Sequence, residues 1–139
     1  MISIIIIHGL IKVPVKVQDT MYRLGLRKKY TCVIVNENLE MIGMLKKIKD
    51  FVAFGKIDEK TLTKIIKARG KVIGDAKGKI KDAEKIAKEV FAGKKLEELK
   101  VKPFFGLHPA RGGIDTKHHY PKGVLCQHED ISKLIMRML

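Results

Sequence analysis

Between His108 and Gly123 the chain reads HPARGGIDTKHHYPKG, which gathers three of its five histidines with one arginine, two lysines, a tyrosine and a Gly-Gly pair. Three chemistries can use such a set. A metal site would draw on His108, His118, His119, Cys126 and His128, but the regular spacings of metal sites, C-x2-C or H-x3-H, do not occur, and adjacent His118 and His119 do not easily face one ion. Acid–base or nucleophilic catalysis would need a histidine paired with a carboxylate or nucleophile. Asp115 is the one carboxylate in the stretch, and no nucleophile elbow or paired-carboxylate motif is present. A grip on nucleic acid uses more of the residues. Gly112 and Gly113 let backbone approach a phosphate with no Cβ in the way. Arg111 can fork onto phosphate oxygens or stack on a base. The rings of His108, His118, His119 and Tyr120 can stack on unpaired bases, and Lys117 and Lys122 add charge. A long loop of this kind is costly in isolation and is readily ordered by an RNA surface.

A second concentration of cations lies nearer the start. Lys12, Lys16, Arg23, Arg27, Lys28 and Lys29 surround the first predicted helix with Asp19 alone opposing them, and Lys46 and Lys47 follow on the second. Gly43 lies inside that second helix, where glycine costs roughly 1 kcal/mol relative to alanine. Either a partner approaches its backbone closely, or it makes a plain packing contact. Farther on, Lys60, Lys64, Lys67, Arg69, Lys71, Lys77, Lys79 and Lys81 face Asp75 alone. That is a phosphate-binding density, since each lysine that neutralises a phosphate releases condensed counterions; a solvated lysine-rich face is the plainer reading. The glycines at Gly70, Gly74 and Gly78 do not make a phosphate-binding loop, because three residues separate them rather than four and Ile80 follows Lys79.

The bulk composition agrees with a polyanionic partner. Twenty-nine Lys and Arg against fifteen Asp and Glu leave +14 on 139 residues, with a pI near 9.9. Such a surplus repels itself in the compact state and is usually explained by nucleic acid or an anionic membrane. Nucleic acid is favoured. The longest apolar run, Ile4 to Ile7, is far short of a spanning helix, lacks the flanks of a signal peptide, and reads as a buried strand. No segment pairs a large apolar face with aromatic anchors. A cytoplasmic protein is expected, with Cys32 and Cys126 as unpaired thiols.

These residues must be positioned by one average-sized domain. Ile2–His8 and Tyr30–Val35 read as strands. Val17, Met21 and Leu24 share one face of a helix that Pro14 precedes and Gly25 closes. Asn36 or Asn38 caps a second helix striped by Met41, Leu45, Ile48 and Val52, and Phe51–Gly55 follows as a third strand. The order through residue 56 is β-α-β-α-β. From 57 to 139 the chain is more helical and irregular: one helix from Asp58 to Gly70, another ending at Gly93, a further turn at KLEELK, the extended loop, and a last helix with Ile131, Leu134, Ile135 and Met138 on one face. Nine basic against four acidic residues in 1–55, and twenty against eleven in 56–139, make both parts basic.

LGLRKKYTCVIV (Leu24–Val35) followed by GMLKKIKDFVAFGK (Gly43–Lys56) resembles the core of the large-subunit ribosomal protein family L-thirty, named L-seven in the eukaryotic cytosolic ribosome. TLTKIIKARGKVIG, FFGLHPARGG and ISKLIMRML resemble the longer archaeal and eukaryotic form, and the Lys- and Ile-rich composition without an expanded basic N-terminal tail fits the archaeal one. The resemblance implies an α+β fold: a β-α-β-α-β core (1–56) with a three-stranded antiparallel sheet and two helices on one face, plus a helical and irregular C-terminal extension (57–139). It implies a structural constituent of the large ribosomal subunit, bound to large-subunit ribosomal RNA near the 5S RNA and beside neighbouring ribosomal proteins, with no cofactor, metal or catalytic residue. Gly106 and Ala110 depart from the family's usual arginine and proline, while Arg111, Gly112 and Gly113 match. The alternatives are a free-standing RNA-binding module outside the ribosome and a metal-dependent enzyme built on the histidines.

Overall fold

The computed structural model describes residues 1–74, 80, 82–114 and 116–139; Asp75, Lys77, Gly78, Lys79, Lys81 and Asp115, which enter the sequence reading, lie outside the described residues. The chain is α+β. Its elements are β1 (Ile2–Ile6), α1 (Val15–Arg23), β2 (Thr31–Val35), α2 (Leu39–Ile48), β3 (Val52–Lys56), α3 (Glu59–Arg69), α4 (Ala83–Phe91), β4 (Phe104–Gly106), β5 (Cys126–His128) and α5 (Ile131–Met138).

All five residues of β1 are buried, and the reason explains the fold. Successive side chains on a strand point to opposite faces. Ile2, Ile4 and Ile6 pack with Met21 and Leu24 from α1 and its end, and with Leu45 and Ile48 of α2. Ile5 and Ile7 point the other way, into a second cluster built from Leu62, Ile65 and Ile66 of α3, Ala83, Ala87 and Val90 of α4, and Ile131, Leu134, Ile135 and Met138 of α5. A strand covered on both faces has no polar side to show, so it reads as an unbroken apolar run. Each fully buried isoleucine of the run contributes about 1.5–3 kcal/mol of transfer free energy. The result is three layers, with α1 and α2 on one face and α3, α4 and α5 on the other.

The sheet order is β4-β2-β1-β3-β5. The central β2-β1-β3 is antiparallel throughout, with Ile5 opposite Cys32 and Ala53. The expected three-stranded antiparallel sheet is thus corrected at its edges: β4 adds antiparallel to β2, and β5 adds parallel to β3, giving a mixed five-stranded sheet. Each added strand is three residues long, too short for alternation to register in the sequence. They cover backbone groups that β2 and β3 would otherwise leave unpaired at a sheet edge.

Two small residues set the fit of the C-terminal part. Ser3 and Gly55 are paired across β1 and β3 on the α5 side. A Cβ on Gly55 would lie 2.7 Å from the His128 carbonyl oxygen and 3.1 Å from Cβ of Ile131, so only glycine lets β5 and α5 come this close. The start of α5 is fixed by Asp130, whose carboxylate accepts from the Ser132 N–H at 3.2 Å. Its apolar stripe falls on the four residues expected, all buried.

Candidate nucleic-acid interface

The register brings the two cationic regions of the sequence to one end of the sheet. β1 finishes there, and β2 begins there: Tyr30 N–H donates to the Ile6 carbonyl at 2.8 Å. β3 begins there, with the Phe51 carbonyl accepting from Ile7 and His8 at 3.2 and 3.1 Å. β4 runs up to the same end, since Gly106 pairs with Thr31 and Leu107 N–H donates to Tyr30 at 2.9 Å. β5 starts there opposite Ala53. The last turn of α5 arrives as well, its Met138 carbonyl accepting from His108 N–H at 2.9 Å. Arg69, closing α3, donates to the Leu139 carbonyl at 3.3 Å. Lys28, Lys29, Lys49, Arg69, His108, Arg111, Lys117, His118, Lys122 and Arg137 therefore belong to loops and helix ends at this one end. Lys46 and Lys47 lie in the last turn of α2, which climbs toward it. Cations in final helical turns also complement the negative end of the helix dipole.

The opposite end is mixed in sign. Glu37 follows β2, Glu40 opens α2, Asp58 and Glu59 follow β3, and Glu129 and Asp130 follow β5. Of the cations nearby, Lys56 lies 3.3 Å from Glu37 and Lys133 lies 3.4 Å from Asp130, while Lys95 sits beside Asn36 and Asn38. Carboxylates gather at this end, whereas among the described residues of the first end Asp50 stands against the cations named above.

The loop from His108 to Gly123 divides into two tethered pieces. Arg111, Gly112 and Gly113 form a turn in which both glycines have positive φ, +79° and +78°, a region that disfavours a Cβ. Arg137 holds this turn: its Nη2 donates to the carbonyls of Arg111 at 3.0 Å and Gly113 at 2.9 Å, and its Nε donates to Arg111 at 3.2 Å. In the second piece the Thr116 hydroxyl donates to the Lys122 carbonyl at 2.8 Å, and His119 bridges to Leu125. Gly123 sits directly on the His118 backbone, with no room for a side chain. Nε2 of His119 lies 2.7 Å from the Asp50 carboxylate, pinning the loop to the α2–β3 turn. Tyr120 packs against buried His128 with ring centroids 4.7 Å apart and planes inclined at 42°, and His128 Nε2 donates to the Val124 carbonyl at 2.7 Å. The histidines thus hold separate positions, and among the described residues no three His, Cys, Asp or Glu side chains gather as a metal set. Lys117, His118 and Lys122 line an open cleft with Asp50, His119 and Leu125.

Around α1, Arg27 stacks 4.7 Å over the Tyr22 ring and Lys29 4.8 Å over Tyr30, fixing two of the cations by cation–π contact. Lys28 is exposed beside them, and Lys12 sits exposed in the loop before α1. Lys16 and Arg23 lie on the rim of a groove between α1 and α2 that Lys47 also lines. Arg23 is paired with Asp19 at 3.1 Å. Gly43 is exposed, and a methyl group built on it meets nothing within 4 Å, so no packing contact within the chain explains it. Lys71 is exposed just past α3.

Arg137 carried no motif in the sequence. The available signal was its place in the last turn of a helix, on the polar side of the stripe that ends at Met138. Of the two thiols, Cys32 is wholly buried, which pushes its pKa up from 9.0 to about 12 and removes it as a nucleophile.

Fold and charge together define a class: a basic, three-layered α+β protein with a cationic end suited to a polyanion. Residues 2–52 match the family model described as Ribosomal protein L30p/L7e. The chain is similar along nearly its whole length to the large ribosomal subunit protein uL30 of Archaeoglobus fulgidus, with 36% identity over 99% of both chains. The protein of the same name from Desulfurococcus amylolyticus is 40% identical over 99% of this chain and 97% of its own. That from Methanococcus vannielii is 35% identical over 81% of this chain and 79% of its own. The chain belongs to the uL30 family of large ribosomal subunit proteins, a family of structural proteins rather than enzymes.

Proposed function

We propose that this protein is a structural constituent of the large ribosomal subunit, resident in the cytoplasm as part of the ribosome, and that it binds large-subunit ribosomal RNA through the cationic end of its sheet. The observation that carries the reading is the convergence of cationic loops and helix ends at one end of the sheet, in a chain of net charge +14. The contacts are Lys12, Arg27, Lys28, Lys29, Lys46, Lys47 and Lys71 with the loop residues His108, Arg111, Gly112, Gly113, Lys117, His118, Tyr120 and Lys122. Arg69 and His119 act behind them, since both are engaged within the chain. The recognition is of phosphate and folded shape rather than base sequence. Proximity to the 5S RNA and to neighbouring ribosomal proteins is part of the proposal and rests on the family resemblance. So does the division into a core (1–56) and an extension (57–139).

The test is binding of the purified chain to a large-subunit ribosomal RNA transcript across a salt series. With about six to ten phosphates neutralised, affinity falls by roughly 10³ to 10⁵ between 50 and 200 mM salt. A flat response defeats the electrostatic reading. Sedimentation of cell extract checks the assembly: the protein should travel with the large subunit, and its retention at the top of the gradient would count against it. Footprinting of 5S RNA with and without the chain tests that proximity.

A further inference from the structure

We propose that the groove between α1 and α2 seats an RNA sugar-phosphate strand that comes close to the helix backbone at Gly43. This deepens the RNA-binding reading and rests on it. The groove encloses about 510 Å³ and is lined by Lys16, Val17, Asp19, Thr20 and Arg23 from α1 and by Met44 and Lys47 from α2. Lys16 in the first turn of α1 and Lys47 in the last turn of α2 set one end of the groove near the cationic end of the sheet, and Arg23 closes the other. Its walls carry three cations against one carboxylate, and that carboxylate is already paired with Arg23. A phosphate entering there meets net positive charge from both sides, and its counterions are released.

Gly43 supplies an independent observation. On α2, Leu39, Gly43 and Lys47 are spaced four apart and form one row. Leu39 is 88% exposed and Gly43 is exposed, so the row projects away from the core. Glycine weakens a helix interior relative to alanine, and here nothing in the chain would obstruct a methyl group. The position thus gives up stability for no internal reason. A strand lying against the helix surface supplies one, because the missing Cβ lets backbone and phosphate approach and the lysine one turn away neutralises the charge. Leu39 offers an apolar surface to the sugar edge at the far end of the same row.

The groove and the glycine make a prediction with two opposed readouts. In the free full-length chain, Gly43→Ala raises the folded-to-unfolded ratio about five-fold, seen as a higher denaturant midpoint. The same variant weakens binding to a large-subunit ribosomal RNA transcript at least ten-fold at fixed salt. Loss of folding cannot produce that pair of results. Lys16→Gln, at a groove residue outside the sheet-end contacts, weakens binding in a different way, lowering the slope of log affinity against log salt by about 0.7 to 0.9. If Gly43→Ala stabilises the chain and leaves RNA affinity unchanged, the close approach is overturned while the wider RNA-binding reading stands. A wild-type chain that fails to bind the transcript at all overturns both.

Discussion

Arg137 Nη2 donates to the carbonyl oxygens of Arg111 at 3.0 Å and of Gly113 at 2.9 Å, so one guanidinium clasps both ends of a turn built on two positive-φ glycines. The last turn of α5 thereby sets the path of the loop, and Arg111 N–H returns the contact to the Arg137 carbonyl at 2.9 Å. The planar fork suits two divergent carbonyls, which a single ammonium does not span as well.

Arg137 therefore positions Arg111. Arg137→Ala is expected to weaken RNA binding several-fold and to cost about 1 kcal/mol in stability, given its exposure. Arg137→Lys recovers only part of the loss. In a double-mutant cycle with Arg111→Ala the two effects on binding are less than additive. Full additivity would show that Arg137 contacts RNA by itself.

Ser3 and Gly55 make opposite predictions from neighbouring positions. Gly55→Ala drives a Cβ against the His128 carbonyl and Ile131, and should cost about 1–3 kcal/mol by levering β5 and α5 off the sheet. The Ser3 hydroxyl is buried with no hydrogen-bond partner among the described residues. Ser3→Ala removes an unsatisfied polar group and should be neutral or stabilising by up to about 1 kcal/mol. Urea unfolding midpoints of the two variants check both signs.

Truncation after Lys56 removes everything that covers the second face of the sheet. Ile5, Ile7, Cys32, Ile34 and Ala53 would become exposed together. An exposed apolar sheet face of this kind is an aggregation hazard. The 1–56 fragment is expected to bind a hydrophobic dye and to lose cooperative unfolding. A monomeric fragment with a sharp thermal transition would refute this.

The thiols should separate kinetically. Cys126 is half-buried and Cys32 fully buried, so a thiol reagent at pH 8 modifies one site rapidly and the second only on unfolding. Burial raises the folded-state pKa of Cys32 from 9.0 to about 12. Its contribution is therefore complete below pH 9 and is lost progressively from there to about 12, as the unfolded thiol ionises and the folded one does not. Wild-type stability should fall with pH over that window by up to about 1.4 kcal/mol per unit more steeply than that of Cys32→Ala.

Much of this molecule is determined by patterns local to the chain. The apolar run Ile4–Ile7 specifies a strand with no exposed face, the spacing of Ile131, Leu134, Ile135 and Met138 specifies the buried side of α5, and Pro14, Gly25, Asp58 and Gly93 mark helix ends close to where they fall. The charge surplus and the motifs shared with the uL30 family are equally properties of composition and order. Other features depend on residues far apart in sequence and leave no local period. β4 and β5 are three residues each and exist because β2 and β3 offer unpaired edges. Arg137 finds the Arg111 turn across 26 positions, and His119 finds Asp50 across 69. The cationic end itself is a matter of register: Lys28 belongs to the loop before β2 and Arg111 and Lys122 to the loop between β4 and β5, and only the pairing of the strands brings those loops to the same end of the sheet.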